Sequence, residues 1–526
     1  MVNDNLIDHE ARERALDPTG SFIVQAPAGS GKTALLTRRL LRLLGQVEAP
    51  EQVLAITFTR KAADEMRARV LGALRDAQSD QPADTTFAAA QLQDARRALE
   101  QDRQRDWGLL QTPSRLQIMT VDALNTRMVA ARPVSSAYMG RGLVSADVRE
   151  ALLEAAADAT LDWLAEEGEP AEAVRYAFSL VDLDSAAWRR QMVSMLKSRD
   201  KWLPVVVRSL ERDPMQLRAA SEALLKELVE TTLHKCWQGL SADEEQSIWR
   251  SLRVAHRTLS EQTVLAAFPS SPADARSDVA YWRFAAQVLL VANKPQWRKK
   301  VDKRQGFVST EKAHKKDVED LLQRLHSVDG LATALDAARY LLQPIYTEDQ
   351  WAGVLATMTA LRLASAEFTR LMNEAGLYDY PELAASALDT LGDDDSVGDL
   401  ALQYDYRLQH LLVDEMQDTS ARQYRLLERL TAGWQPDDGR TLFCVGDPMQ
   451  SIYRFRGAEV SLFLRAWEEG IGHVALVPIR LSTNFRSCAP LIDWVNTTFK
   501  EVFSEENNPI DEAVAHAQSA AAPSAS

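Results

Sequence analysis

The chain is 526 residues long, more than one ordinary domain, and that length holds about three or four domain-sized units. With 46% hydrophobic and 26% charged residues it falls in the globular class, which excludes wholesale disorder, collagen-like and low-complexity chains. A net charge of −15 would repel a polyanion, so any nucleic-acid binding has to be local. Three scattered cysteines, Cys236, Cys444 and Cys488, make neither a disulfide framework nor a zinc cluster and are expected to be buried thiols in a reducing compartment. The start, MVNDNLIDHEARER, lacks the basic and apolar regions of an export signal, and no stretch approaches the roughly 18 apolar residues that span a bilayer. A cytoplasmic protein without a membrane contact is expected.

In chain order, SFIVQ reads as a buried strand, followed at once by APAGSGKT and a helix, TALLTRRLLRLLG, with leucines 35, 36, 40, 43 and 44 at helical spacing and a stop at Gly45. A second strand, QVLAITFT, ends at Thr59 and a third, SRLQIMTV, ends near Asp122, each running into a helix. From about 128 to 375 the texture is alanine- and leucine-rich and amphipathic, as in REALLEAAADATLDWLAEE, and predicts a helical insertion. Strand texture returns at HLLVDEMQDTS and TLFCVGDPMQ. The expected fold is α/β, a parallel-sheet lobe interrupted by a large, mainly helical domain. The final AVAHAQSAAAPSAS is small-residue, low-complexity sequence expected to fray.

The segment Ala26, Pro27, Ala28, Gly29, Ser30, Gly31, Lys32 and Thr33 fits the phosphate-loop pattern, with Ala26 where the first glycine usually stands. Such a loop turns backbone N–H groups and a helix N-terminus toward phosphates, Lys32 reaches the β and γ oxygens, and the Thr33 hydroxyl binds Mg2+. In LLVDEMQDTS a buried strand delivers Asp414 and Glu415 to the edge where open α/β sheets bind ligands. Asp414 suits the Mg2+ shell, and Glu415 suits orienting or deprotonating an attacking water.

Six blocks in order, APAGSGKT, TFTRKAADEMRARV, TVDALN, VDEMQDTS, VGDPMQSIYRFRGAE and LSTNFRS, resemble the UvrD/Rep-like DNA helicases of superfamily one, nearest the exonuclease V beta-subunit (RecB/AddA) branch. The resemblance implies a P-loop (RecA-like) ATPase lobe that uses ATP and Mg2+. It divides the chain into 1–127 and 376–480 as the two parts of that lobe, 128–375 as the helical insertion, and 481–526 as the start of a second motor lobe with a disordered tail. It further implies that Gln450 senses the γ-phosphate, that Arg486 forks onto it with a permanent charge, and that Phe485 stacks on the base. Phe58, Tyr453 and Phe455 resemble the aromatics that stack single-stranded DNA, with Thr59, Thr120, Asn125 and Arg456 as polar companions. For Phe58 and Phe455, simple core packing is the competing reading.

The stretch 294–316 holds nine basic residues against two acids, with Trp297 and Phe307 interleaved, and reads as a surface that tracks the phosphates of duplex DNA. Two features depart from the family pattern. Ala11 stands where a glutamine usually reads the adenine edge, and no later family motif follows NFRS. The expectation is therefore an ATP-dependent DNA helicase or translocase of the 3'-to-5' type in recombination and repair, or its N-terminal portion, completed by the missing C-terminal part or partnered by a nuclease subunit. The alternative is a non-catalytic module that binds ATP and DNA.

Overall fold

The computed structural model describes residues 6–79, 85–131, 141–259, 265–308, 312–392, 404–405, 407–454, 457–504, 506–509 and 512–523. The chain divides into two compact units, one formed by residues 1–144 and 376–526, the other by 145–375.

The first unit is built on six strands: β1 (Phe22–Gln25), β2 (Val53–Thr57), β3 (Gln117–Thr120), β6 (His410–Val413), β7 (Thr441–Gly446) and β8 (Val477–Arg480). Their order across the sheet is β3-β2-β6-β7-β1-β8, and every pairing is parallel. FIVQ, VLAIT, HLLV and TLFCVG are buried at every position, as expected of strands covered on both faces. Because the strands run the same way, all six carboxyl ends lie along one edge of the sheet. Helix Lys32–Leu44 and helix Arg60–Gln78 return the chain between strands, burying Leu35, Leu36, Leu40, Met66, Val70 and Leu74 in one core.

A buried cation ties the first turn of the chain to this core. Arg39 is fully buried, donates to the carbonyls of Ala15, Asp17 and Gly20 at 2.7 Å each, and lies between the rings of Phe22 and Phe443. Burial, outweighing the pull of Asp17, presses its guanidinium down to about 9.

Two short strands, β4 (Gly142–Leu143) and β5 (Leu377–Tyr378), pair in parallel where the chain leaves and re-enters this unit. The boundary at 127/128 expected from sequence falls inside helix Val121–Ala130, and the second unit starts at Ser145. That unit is helical apart from one β-bridge between Leu290 and Trp297 among its described residues. Its 27-residue helix Glu348–Glu374 packs on helices Ala146–Asp162 and Glu169–Ser179.

Two further expectations are corrected. The stretch expected to fray contributes β10 (Ala520–Ala521), which pairs in parallel with β9 (Thr483–Asn484); Asn496 holds Ser519 through hydrogen bonds to its N–H and carbonyl. Backbone pairing needs no particular side chains, so small residues serve. Of the cysteines, Cys236 and Cys444 are buried but Cys488 is exposed, at the start of helix Ala489–Lys500.

His410 opens β6 from a buried position, its Nδ1 within 2.8 Å of Thr441 Oγ1. Burial, reinforced by Arg39, drives its imidazole down to about 4. The unfolded chain therefore binds the extra proton between pH 6.5 and 4, so this group's contribution is complete above pH 6.5 and is lost as pH falls through that window, by about 3 kcal/mol in full. Urea-unfolding midpoints taken across that window should fall less steeply for His410→Asn than for the wild type; parallel curves would refute this.

Candidate nucleotide and nucleic-acid site

The residues singled out as chemical gather at the carboxyl edge of the first unit's sheet. β1 runs into the loop Ala26–Thr33, anchored by Ala26 N–H donating to the Gly446 carbonyl at 2.9 Å. Gly29 and Gly31 have φ of +78° and +80°, which only glycine adopts without strain. A Cβ on Gly29 would also lie 2.6 Å from Asn484 Oδ1. The helix that follows has Gly31 at its N-cap, with no capping side chain and no acid in its first turn. Helices starting after β2 and β3 differ: Thr59 accepts from Ala62 N–H at 3.1 Å and Thr120 from Ala123 N–H at 3.2 Å. The orphan N–H groups that those threonines satisfy are left open beside the phosphate loop, where an anion would satisfy them. The buried Ser30 hydroxyl likewise has no partner among the described residues.

Lys32 projects from this loop onto the end of β6, forming an ion pair with Glu415 and lying 3.7 Å from Asp414. Burial pushes the Asp414 carboxyl up to about 6; Lys32 pulls it back and Glu415 pushes it further. Glu415 occupies the left-handed region at φ +54°, an uncommon strain for a non-glycine residue. Its N–H donates to Asp414 Oδ1 at 3.0 Å.

Gln417, a residue of the VDEMQDTS block to which the sequence assigns no role, joins two loops. Its amide donates to Glu415 Oε2 at 2.8 Å and accepts from Asp447 N–H at 2.9 Å, and its carbonyl accepts from Ser451 Oγ at 3.3 Å. A Cβ on Gly446 would collide with this amide. Gln450 in turn donates to the Asp447 carboxylate, itself raised by burial. Asp418, beside Gln417, is pushed up to about 6 by burial and by Glu415, and one of its oxygens has no partner.

On the far side of the loop, Asn484 donates to the Ala28 carbonyl at 2.9 Å and accepts from the N–H groups of Arg486 and Ser487. Phe485 N–H donates to the Gly29 carbonyl at 2.8 Å, so the segment carrying Phe485 and Arg486 is fixed against the phosphate loop. The Phe485 ring is half exposed, and the exposed Arg486 guanidinium has no partner among the described residues. Asp8, missed from sequence, caps this junction by accepting from Ser482 N–H, Thr483 N–H and the Thr483 hydroxyl. Ala11 packs against the apolar core.

The aromatic set is brought together in part. Phe58 and Tyr453, both partly buried, have ring centroids 4.9 Å apart with planes inclined by 32°. Thr120 and Asn125 are buried, Asn125 with an unpartnered Oδ1. Phe455 and Arg456 lie outside the described residues.

In the second unit the basic stretch is folded down rather than free. Trp297 and Phe307 are buried in its core, which corrects the expectation that they are part of the phosphate-tracking surface. Lys294, Lys299, Lys300, Lys303 and Arg304 remain exposed. Helix Ala242–Leu259 adds Arg250, Arg253 and Arg257 on one exposed face, lining a cleft of about 740 Å³ with His314 and Arg324. Their 3- and 4-residue spacing was the signal available in the sequence.

The family described as "UvrD/REP helicase N-terminal domain" matches residues 7–469. The chain is 25% identical over 535 residues to the A-subunit of the ATP-dependent helicase/nuclease of Bacillus anthracis, covering 95% of this chain and 39% of that protein. The protein of the same name from Bacillus cereus (strain AH820) is 25% identical over 530 residues, covering 93% and 39%. The chain thus spans about two fifths of the length of the curated relatives it matches.

Replacing Gln417 by leucine would strand the Asp447 N–H and remove the donor from Glu415. Each buried group left unpaired costs about 1–3 kcal/mol, so equilibrium unfolding of Gln417→Leu should report a loss of about 2 kcal/mol or more. A neutral substitution would mean that the amide bridge contributes nothing to stability.

Proposed function

The chain belongs to the UvrD/REP helicase family, and from that premise we propose that it carries the ATP-hydrolysing lobe of an ATP-dependent DNA helicase or translocase of recombination and repair. The observation that carries the reading is the meeting of Lys32, Asp414, Glu415 and the Gln417–Asp447–Gln450 chain at one sheet edge, beside an uncapped helix N-terminus.

In this reading the loop N–H groups and Lys32 bind the triphosphate, and Lys32 exchanges its carboxylate partners for phosphate oxygens. Glu415, held by Gln417, orients the attacking water and takes its proton; Gln450 and Arg486 attend the γ-phosphate. Thr33 and Asp414 would hold Mg2+. The described residues contain no cluster of three or more acidic, histidine or cysteine ligands, which suits an ion that keeps most of its waters and leans on one or two protein oxygens plus phosphate. When bound, the ion supplies charge neutralisation at the phosphates.

Phe58 and Tyr453 offer ring faces to single-stranded DNA, with Thr59 and Thr120 able to donate hydroxyl protons while still accepting at their helix caps. The lysines of 294–304 and the arginines of helix Ala242–Leu259 form a duplex-facing surface. Travel in the 3'-to-5' direction, work in the cytoplasm and partnership with a nuclease subunit follow from the resemblance to this family. The competing reading is that the chain alone binds ATP and DNA and turns over slowly.

Steady-state ATP hydrolysis with and without a single-stranded oligonucleotide separates the two. DNA-stimulated turnover that disappears in Glu415→Gln, with Lys32→Ala losing triphosphate binding, supports the motor reading. Binding without turnover supports the second, and unaltered binding by a folded Lys32→Ala would sink the site itself.

Reversing the charge of Lys299 and Lys300 should weaken duplex binding more than single-strand binding and flatten the duplex log–log salt slope by about two. An equal loss on both substrates would count against this surface as a duplex contact.

A further inference from the structure

We propose that Arg12 sets the base selectivity of the triphosphate slot, so that the slot takes a guanine nucleotide at least as well as an adenine one. The inference rests on the reading of Ala26–Thr33 as a triphosphate loop and deepens it.

Arg12 projects from helix His9–Ala15, and its guanidinium carbon lies 5.1 Å from the centroid of the Phe485 ring, over its face. A Cβ on Gly31 would be 3.6 Å from that ring and 3.7 Å from Arg12 Nη1. The ring and the guanidinium therefore stand together at the last glycine before Lys32, where a base attached to a loop-bound triphosphate would come to rest.

The guanidinium is held on one side only. Nε and Nη2 donate to the Asp8 carboxylate at 2.9 and 2.8 Å, and Nη2 also approaches the Thr483 carbonyl at 3.5 Å. Asp8 is buried and fixed by three further donors from residues 482 and 483. Burial alone would push its carboxyl up, but the hydrogen bonds from Arg12 and Thr483 outweigh it and hold the group below its ordinary range, so the anchor stays charged. Nη1 has no partner among the described residues and stands at Gly31, 3.7 Å from where a Cβ on that residue would lie.

The N–H groups of Nη1 can only donate. Guanine presents two acceptors, O6 and N7, on its outer edge, whereas adenine presents N7 beside an amino donor. A donor-only fork matches the first edge and sets a donor against the second. A glutamine amide, with one donor and one acceptor, would match adenine instead.

The test is competition of ATP and GTP, each with Mg2+, against a fluorescent triphosphate bound to the full chain. Wild type should bind GTP as tightly as ATP or more tightly. In Arg12→Gln the ratio of GTP to ATP dissociation constants should rise by on the order of tenfold. Arg12→Lys covers a glutamine variant that does not fold: its single ammonium is taken by Asp8, so the ratio should rise by threefold or more. A wild type that prefers ATP by tenfold, or a folded variant whose ratio moves less than threefold, overturns the proposal. If wild type binds neither nucleotide, or Lys32→Ala binds both as wild type does, the phosphate-loop reading fails and this inference falls with it.

Discussion

The site depends on one ammonium standing between two carboxylates. Asp414 is buried at the end of β6, where water cannot stabilise its charge, and Glu415 follows it on a left-handed backbone that turns its own carboxylate the same way. Burial is the main cause that raises the Asp414 carboxyl to about 6; Lys32 draws it back and the neighbouring Glu415 charge adds to the rise. Lys32 supplies the opposing charge, and it can do so because β1 and β6 run parallel and release their chains at the same edge of the sheet. In the proposed reading, a triphosphate arriving here would add negative charge and compete with the two carboxylates for Lys32. In that reading a divalent cation held by Asp414 would supply positive charge to the acids in place of Lys32.

This constraint explains why the chain tolerates an insertion of more than two hundred residues between β3 and β6. A parallel strand needs only its register and its burial; the connection before it can be any length that leaves and returns at the right edge. β4 and β5 close that excursion at its base by pairing Gly142 with Leu377 and Leu143 with Tyr378. The inserted unit then has its own core, in which Trp282, Phe284 and Leu289 are as buried as any residue of the sheet.

Much of this was legible because its causes are local. A run of buried apolar residues followed by a glycine loop and a helix predicts the strand, loop and helix of 22–44, and an apolar run ending in two acids predicts the end of β6, without any knowledge of distant contacts. What failed depended on contacts far apart in sequence. The pairing that moves the domain boundary from 127 to 144 joins segments on either side of the insertion. Trp297 and Phe307 were placed on the basic surface because charge and aromaticity were counted along one dimension; in three dimensions the two aromatics are buried while the lysines and Arg304 face out. Asp8 and Arg12 were four residues apart on a short helix, a spacing that suggests an ion pair, but nothing local says that their partners are residues 482, 483 and 485.

Gln417 shows how the two sides of the edge are held in one mechanical unit. Its single amide gives its N–H to the carboxylate that faces the phosphate loop and takes the N–H of Asp447, the first residue after β7; its own carbonyl takes the hydroxyl of Ser451, two residues before Tyr453. Tyr453 lies against Phe58, which follows β2. Gln417 is buried, and the missing side chain at Gly446 makes the room its amide occupies. A displacement of Glu415 therefore either carries the 447–453 loop with it or breaks a hydrogen bond of the buried Gln417, leaving its partner unpaired. In the proposed reading, short polar links of this kind, rather than the sheet itself, would carry a change at the phosphates to the aromatic pair.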